Sequence, residues 1–182
     1  MIPHGYRIRP ALPADIPSLA GVERAADERF AAVARQLGLP DAALAQVTER
    51  AALERGRQEA RLWVAISRGG AVVGFALATE VAGFAHLEQL AVVPGEGRSG
   101  LGSALLETVA GWAAAAGRQG VTLCTFRDVA WNAPFYNRRG FTAIAPGDLS
   151  PEHARIARAE AERGLPAATR VMMVRRLPAT PA

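Results

Sequence analysis

The chain contains no lysine, and all 21 of its basic residues are arginines, set against 17 acidic residues for a formal net charge of +4. The absence of lysine excludes a P-loop, in which a lysine contacts the phosphates of a nucleotide. The high pKa of arginine also explains a sequence pI near 10.4. Because the arginines are scattered rather than interleaved with aromatic residues, we predict solvated surface charge and no nucleic-acid partner.

Cysteine and long apolar runs are also scarce. Cys124 is the only cysteine, which excludes an internal disulfide and a cysteine-cluster metal site, and we predict no metal. No apolar stretch has the length of a membrane span, and the first residues lack the apolar core of a signal peptide. We therefore expect a cytoplasmic location and no membrane association. His4 and His153 have no partner at metal-ligand spacing, and we predict that both lie on the solvated surface.

The composition is that of a folded enzyme-sized domain. Half of the 182 residues are hydrophobic and 21% are charged, which is unlike a disordered or a membrane-spanning chain. We find no repeat, linker or low-complexity boundary. We therefore predict a single domain over residues 1–182, with residues 178–182 as a frayed tail.

Hydrophobic periodicity and turn residues predict alternating strands and helices. The predicted strands are Tyr6–Arg9, Arg61–Ser67, Ala71–Val81, Ala85–Val93, Gly120–Phe126, Phe141–Ala145 and Thr169–Leu177. The predicted helices are Asp15–Phe30, Asp41–Gln58, Leu101–Ala116, a short helix around Tyr136, and Pro151–Arg163. This order predicts a mixed α/β fold in which helices cover both faces of one sheet.

A glycine-rich loop joins a strand to a helix at Leu90–Gly102, where the sequence is LAVVPGEGRSGLG. Such a loop presents free amides at the positive end of the helix dipole, which suits a phosphate, and glycine permits close approach of the ligand. Gly95–Gly100 also matches the Rossmann pattern G-x-G-x-x-G. The acidic residue expected about twenty residues later is missing, which disfavours a dinucleotide site.

The same loop resembles the coenzyme A loop, motif A, of the GNAT superfamily of acyl-CoA N-acyltransferases, Gln/Arg-x-x-Gly-x-Gly/Ala. The segment Gly100-Leu101-Gly102 fits the end of the motif, and the strand that stops at Pro94 fits its beginning. This chain departs from the motif at Gly97, which takes the Gln/Arg position, with Arg98 one place later.

A second segment, Asn132–Phe141, resembles the GNAT motif Asn-x-x-x-Tyr-x-x-x-Gly-Phe. Its local physics agrees with a short helix: Asn132 is a good N-cap, Pro134 is tolerated in a first turn, and Gly140 is a good helix stop. The two motifs occur in the family's order, about thirty residues apart. The resemblance covers residues 72–145 well.

The resemblance implies a GNAT-like central sheet, mixed but mostly antiparallel, with helices on both faces. The sheet would be splayed between the Ala85–Val93 and Gly120–Phe126 strands to form an acyl-CoA cleft. Acetyl-CoA is then the expected cosubstrate. Its expected binding residues are Leu90, Ala91 and Val92 through their backbone, Gly97, Arg98, Ser99, Gly100, Leu101, Gly102 and Ser103 in the loop and helix start, and Asn132 and Tyr136.

The implied reaction moves an acetyl group to a primary amine by direct attack in a ternary complex, EC 2.3.1.-, without a covalent enzyme intermediate. Tyr136 is expected to protonate the departing thiolate, and an amide near Val92 to polarise the thioester carbonyl. Glu88 and His86 both remain candidates for the base, acting through water. Because side chains alternate along a strand, we expect both on the same face.

The acceptor is left open by the sequence: a small amine, an antibiotic, a peptide N-terminus and a protein lysine all fit. We expect Phe30 and its helix, the loop to Pro40, Trp131 and the 146–166 segment to set its specificity. Asp27 and Glu28 could attract a cationic amine, but a solvated helix face is the interpretation that we favour. A catalytically weak acyl-CoA-binding or regulatory module is the alternative function, and a homodimer is one open assembly state.

Overall fold

The computed structural model describes residues 2–178, so that only Pro178 of the predicted frayed tail lies among the described residues. The helices are α1 (Ile16–Asp27), α2 (Ala34–Leu37), α3 (Asp41–Leu44), α4 (Arg50–Gln58), α5 (Leu101–Ala115), α6 (Ala133–Asn137) and α7 (Pro151–Glu162). The strands are β1 (Arg7–Pro10), β2 (Leu62–Ile66), β3 (Val72–Val81), β4 (Phe84–Val92), β5 (Gly120–Phe126), β6 (Thr142–Ala143) and β7 (Arg170–Arg176).

The seven strands form one sheet in the order β1-β2-β3-β4-β5-β7-β6. Every neighbouring pair is antiparallel except β4 and β5, which run parallel because α5 connects them. The predicted mixed, mostly antiparallel sheet is therefore confirmed.

Helices cover both faces of the sheet, as predicted. On one face, α5 buries Leu101, Leu105 and Val109 in a core that also contains small residues of β3 and β4. On the other face, α1 and α4 bury Leu19 and Leu53 in a second core. Among the described residues, none of the helices has both the length and the apolar character needed to cross a bilayer.

The central pair of strands, β4 and β5, stays together for only part of its length. Ala85, His86 and Leu87 pair with Val121–Leu123, and beyond them the two strands part. Farther along, β5 pairs only with β7 on its other side, through Phe126, while β4 pairs only with β3. The sheet is therefore splayed between the two strands that the sequence indicated, and an edge of β4 faces the gap.

The single helix predicted for Asp41–Gln58 is wrong, because the structure has two helices with a non-helical segment, residues 45–49, between them. The backbone amide and the hydroxyl of Thr48 both donate to the buried carboxylate of Glu23, at 2.9 and 3.0 Å. Glu49 then takes a non-helical conformation as the N-cap of α4. A tertiary interaction with a charged group thus overrides the helical pattern of this segment.

Two other predicted bounds also change. The Asp15–Phe30 helix ends as an α-helix at Asp27 and continues as a 3₁₀ turn over Glu28–Ala32. The predicted strand Phe141–Ala145 contributes only Thr142–Ala143 to the sheet.

Candidate active site

A cavity of about 930 Å³ lies where β4 and β5 part. Its walls come from these two strands, the end of α1, the segment between α3 and α4, α6 and α7. The predicted site residues that line it include His86 and Glu88 of β4, and Asn132 and Tyr136 at the start of α6 and within it.

Tyr136 is held by aromatic packing on α6. Its ring meets Phe135 and Phe141 edge to face, with centroids 5.0 and 5.6 Å away, and only 8% of the residue is exposed. Burial raises the pKa of Tyr136 to about 12, opposed by the charges of Arg29 and Arg170. The hydroxyl therefore keeps its proton at neutral pH and can donate it within the cavity.

His86 is buried in the cavity wall and belongs to a chain of side-chain hydrogen bonds. Its Nδ1 lies 3.0 Å from the hydroxyl oxygen of Thr122 on the adjacent strand β5, and that oxygen lies 3.1 Å from Nε2 of His153 on α7. Burial lowers the pKa of His86 to about 4, helped by the nearby His153. His86 is thus a neutral imidazole near pH 7.

His153 does not lie on the solvated surface, and that prediction is wrong. Only 3% of the residue is exposed, and its Nδ1 lies 2.8 Å from the hydroxyl oxygen of Ser150, the N-cap residue of α7. Burial lowers the pKa of this imidazole as well. One sequence pattern could have indicated this contact: His153 is the third residue after Ser150, and the third residue after a serine N-cap lies beside the capping side chain.

Glu88 lies at a β-bulge. Leu87 pairs with Ala78 and Gln89 pairs with Leu77, so that Glu88 has no partner across the ladder. Its side chain is open to the cavity, yet burial by the surrounding protein raises its pKa, opposed by Arg163 and Arg55. Glu88 and His86 do share the cavity, but strict alternation does not hold through this bulge.

The edge of β4 beyond the bulge presents backbone groups to the gap. The amide of Val93 donates to the carbonyl of Val73 on β3, so the amide of Val92 points to the opposite edge, and that of Leu90 does the same. Ala91 turns its carbonyl toward Gly74 on β3 and its side chain into the core. Leu90 and Val92 are therefore the positions whose amides point toward the gap between the strands, and of the two Leu90 lines the cavity.

The Leu90 amide is engaged by a side chain from its own strand. It donates to the amide oxygen of Gln89 at 2.8 Å, and the nitrogen of Gln89 donates to Glu23 at 2.5 Å. Glu23 is only 3% exposed and also holds Thr48. Sequence reasoning missed Glu23, because a lone glutamate on a helix gives no sign of burial.

The glycine-rich loop leads into α5 with a left-handed residue. Gly100, the N-cap, has φ of +92°, a conformation that favours glycine. The first amide within the helical ladder is that of Ala104, which donates to the carbonyl of Gly100 at 3.0 Å, so the amides of residues 101–103 precede the ladder. Arg98 is exposed with φ of +63°, and its side chain is outside the cavity lining.

A second arginine, which the sequence did not indicate, extends its side chain from just beyond the end of α6 to the start of α5. Arg139 donates from Nε to the hydroxyl of Ser103 at 2.9 Å and lies 3.6 Å above the Phe135 ring. This contact joins the motif around Tyr136 to the first turn of α5, directly after the glycine-rich loop. The Arg138-Arg139 pair gave no sign of it, because the contact depends on how α6 packs against α5.

Asn132 occupies the N-cap position of α6, as predicted, but its side chain does not cap the helix. Its Oδ1 accepts a hydrogen bond from Thr125 at 2.9 Å, and its buried Nδ2 has no hydrogen-bond partner among the described residues. An orphaned donor in a cavity wall is costly unless a ligand satisfies it.

The far end of the cavity combines charges with aromatic packing. Asp27 lines it, whereas the adjacent Glu28 is exposed and lies outside the lining, so the predicted solvated face holds for Glu28 alone. Burial raises the pKa of Asp27 to about 6, and the nearby Glu23 adds to the shift. Phe30 packs against Phe126 with ring centroids 5.4 Å apart.

Across the cavity, α7 is fixed by an ion pair. Arg170 on β7 donates from Nε and Nη2 to the two carboxylate oxygens of Glu160, at 3.1 and 2.7 Å, with both side chains largely buried. Cys124 lies beside this pair, and burial raises the pKa of its thiol to about 12. Its thiol is thus protonated at neutral pH and is a poor nucleophile.

The fold is shared with solved acetyltransferases. N-acetylglutamate synthase of Neisseria gonorrhoeae, complexed with coenzyme A and N-acetyl-glutamate, is 22% identical with a TM-score of 0.67, over 94% of this chain and 35% of that one. PaiA N-acetyltransferase of Thermoplasma acidophilum, in complex with coenzyme A, is 16% identical with a TM-score of 0.68, over 94% and 99%. The ribosomal-protein-S18-alanine N-acetyltransferase of Escherichia coli is 16% identical with a TM-score of 0.65, over 97% and 96%.

This chain spans about a third of the length of the N-acetylglutamate synthase but nearly all of the other two proteins. At these identities the similarity establishes the fold. The sequence model of the acetyltransferase (GNAT) family matches residues 29–141, more than half of the chain and both motifs described above. The chain therefore belongs to the acetyltransferase (GNAT) family.

Proposed function

We propose that the cavity transfers an acetyl group from acetyl-CoA to a primary amine, by direct attack in a ternary complex. The observation that carries the proposal is the parting of β4 and β5. It opens an edge of backbone amides and gathers Tyr136, His86 and Glu88 around one cavity. Acetyl-CoA supplies the activated acyl group, and the chain supplies position, an oxyanion donor and proton transfer.

The donor side consists of backbone groups and one loop. The amides of Leu90 and Val92 pair with the pantetheine arm as a further strand would, and the Val92 amide polarises the thioester carbonyl. When the ligand binds, it replaces the Gln89 side chain as the hydrogen-bond acceptor of the Leu90 amide. The open Nδ2 of Asn132 supplies one more donor. This set fits a ligand that carries amide carbonyls.

The diphosphate end is assigned to the start of α5. The backbone of Gly97, Ser99 and Gly100, and the amides of Leu101, Gly102 and Ser103, form a phosphate cradle where the helix dipole is positive. Arg98 provides a flexible cation at the rim of the loop. Arg139, already bonded to Ser103, is the better fixed of the two.

Tyr136 is proposed as the general acid for the thiolate. Its raised pKa keeps the hydroxyl protonated at every physiological pH, and Arg29 and Arg170 stabilise the phenolate that forms briefly when the proton is given. The protonated Cys124 thiol disfavours an acyl-enzyme route, which supports the direct mechanism.

The base that deprotonates the acceptor is His86 or Glu88, acting through water. The acceptor amine approaches from the end lined by Asp27 and Phe30, where a half-buried carboxylate attracts a cation. Leu39, Leu165 and Ile156 add apolar walls. The side chains at this end determine the size and charge of the amine that binds, and whether it belongs to a small molecule, a peptide or a protein.

The proposal is tested by following thiol release from acetyl-CoA with a panel of small amines, peptide N-termini and lysine peptides. Calorimetry with coenzyme A and with ATP accompanies the assay. Amine-dependent thiol release together with coenzyme A binding is expected. Binding without release for any amine would indicate the non-catalytic acyl-CoA-binding module, and binding of ATP alone would contradict both functions.

A further inference from the structure

A continuous line of hydrogen-bonded side chains leads from the cavity wall away from the reacting centre. His86 lies at the cavity, Thr122 comes next on β5, His153 follows on α7, and Ser150 caps that helix. The three oxygen-to-nitrogen distances along the line are 3.0, 3.1 and 2.8 Å. Both imidazoles and Thr122 are buried, whereas Ser150 is partly exposed.

Burying His86, Thr122 and His153 costs free energy, so a role in packing alone does not explain why they are there. Two imidazoles and a hydroxyl in the protein interior lose their hydration, and apolar residues would fill the same space more cheaply. A buried polar chain that connects a cavity to the surface fits proton conduction instead, because every member both donates and accepts.

We propose that His86, Thr122, His153 and Ser150 form a proton relay that exports the proton of the acceptor ammonium from the cavity to solvent. The inference rests on the proposed function and chooses His86 as the point of entry. His86 is then the catalytic residue, and Thr122, His153 and Ser150 act through it.

The proton balance requires one orientation of the line. At rest, Nδ1–H of His86 donates to the hydroxyl oxygen of Thr122, whose O–H donates to Nε2 of His153, whose Nδ1–H donates to the oxygen of Ser150. A proton that reaches Nε2 of His86 shifts each of these protons one place outward. The Ser150 O–H bond gives its proton to solvent or to Glu152, so that one proton enters and one leaves.

Thr122 couples the tautomers of the two imidazole rings. It has a single hydroxyl proton, so it can accept from one imidazole only while it donates to the other. The two histidines must therefore share the same tautomer for the line to conduct. Burial disfavours the charged form of the His86 imidazole. A relay explains how this imidazole can still accept the proton of the ammonium, because another proton leaves the ring from Nδ1 as the first one arrives at Nε2.

The exit end has a suitable acceptor. Ser150 lies next to the partly exposed Glu152, whose pKa is lowered first by its own backbone amide and then by a hydrogen bond from Ser150. A carboxylate at that position receives a proton briefly and releases it to water. The charged groups that act on the two imidazoles are Glu160 on α7, Arg170 on β7 and this same Glu152.

The first test reads the tautomers directly by long-range ¹⁵N–¹H correlation of the histidine rings at pH 7 in the free protein. The chain has only three histidines, and His4 is an exposed internal reference. The relay predicts that His86 and His153 are both neutral and both carry their proton on Nδ1. Opposite tautomers on the two rings, or protons on Nε2 of both, would overturn it.

The second test uses turnover. Thr122→Val keeps the shape of the side chain and removes the hydroxyl, and Thr122→Ser restores the hydroxyl. The relay predicts that kcat falls roughly 10- to 100-fold in the valine variant, less than the loss of a general base outright, and that serine recovers most of it. Melting temperature and acetyl-CoA binding report whether each variant is folded.

A proton inventory separates a relay from a structural role. In mixtures of H₂O and D₂O, wild-type kcat should depend on the deuterium fraction along a curve, since several protons move, and Thr122→Val should make the dependence linear. An unchanged kcat in folded Thr122→Val, or a loss that serine does not recover, would overturn the relay. If the wild type released no thiol at all, the proposed function would fail, and the tautomers would still decide the relay.

Discussion

The two sides of the proposed site present different chemical groups to a ligand. The proposed donor side consists of β4 in the cavity wall together with the glycine-rich loop and the start of α5, which lie outside the cavity lining, and it presents backbone amides. The proposed acceptor side uses the 3₁₀ turn after α1, the short helix α3, and the segment from the end of α7 to β7, and it presents side chains.

This difference has a physical consequence. Backbone groups are the same in every residue, so a donor site made of them depends on geometry and tolerates many side chains. A site made of charged and apolar side chains depends on their identity, and each substitution changes what it binds. The donor side should therefore respond to changes of conformation, and the acceptor side to changes of charge.

The largest expected effect comes from a change at Tyr136, the proposed general acid. Tyr136→Phe removes the proton donor and keeps the packing against Phe135 and Phe141. We expect kcat to fall roughly 10²–10⁴-fold with acetyl-CoA affinity little changed, because the loss is confined to the transition state. Turnover and calorimetry on the same sample measure both.

The control is Tyr6→Phe, the same chemical change at the only other tyrosine, whose hydroxyl donates to Glu96 within the glycine-rich loop. A Tyr136→Phe enzyme with wild-type kcat would show that Tyr136 is a packing residue and that water is the proton donor.

The next effect tests geometry on the donor side. Gly100→Val places a β-branched residue at φ of +92° where α5 begins, which costs about 1–3 kcal/mol of strain or displaces the loop. We expect coenzyme A affinity to fall roughly tenfold or more, so that the coenzyme A-induced rise in melting temperature is lost.

Gly95→Val is the matched control, because a side chain at Gly95 meets open space and that residue has an ordinary φ. If Gly100→Val kept the full coenzyme A-induced rise, the phosphate cradle would have been assigned to the wrong loop.

A smaller effect is expected for charge on the acceptor side. Asp27→Asn should raise KM for a cationic amine roughly fivefold, which corresponds to about 1 kcal/mol of Coulomb attraction, and leave acetyl-CoA affinity unchanged. Glu28→Gln, outside the cavity lining, should change neither. Equal effects of the two variants would contradict the assignment of Asp27 to the acceptor side.

Asp27→Asn should also change stability with a defined pH dependence. The pKa of Asp27 is raised to about 6 in the folded chain, above its unfolded value, so its ionisation opposes folding as pH rises from about 4 through 6. The variant should be more stable than wild type at pH 7.5, by up to about 2 kcal/mol, and equal to it below pH 4. Thermal unfolding at several pH values measures the difference.

The same contrast explains how much the sequence could predict. The bounds of β5 were predicted without error and those of α5 to within a residue, because Gly100 and the periodic apolar residues are local signals. The splay of β4 from β5 came from the family resemblance of the two motifs. Both kinds of signal lie mainly on the donor side.

What the sequence could not predict depends on tertiary contacts. The bulge at Glu88 is set by how β3 and β4 pair, and the burial of His153 by how α7 packs on β5. The break in the Asp41–Gln58 helix follows from the contact of Thr48 with Glu23, two residues far apart in the chain. No local pattern carries information about partners so distant in sequence.

The central claim is that the parting of β4 and β5 is a donor site for acyl-CoA, and the melting temperature of the wild-type protein with ligand tests it most directly. At 100 times the dissociation constant, a ligand bound only by the folded state adds about 2.7 kcal/mol, or roughly 5–10 °C for a chain of this size. We predict this rise with millimolar coenzyme A or acetyl-CoA and none with ATP. A folded protein whose melting temperature does not change at millimolar acetyl-CoA would contradict the claim.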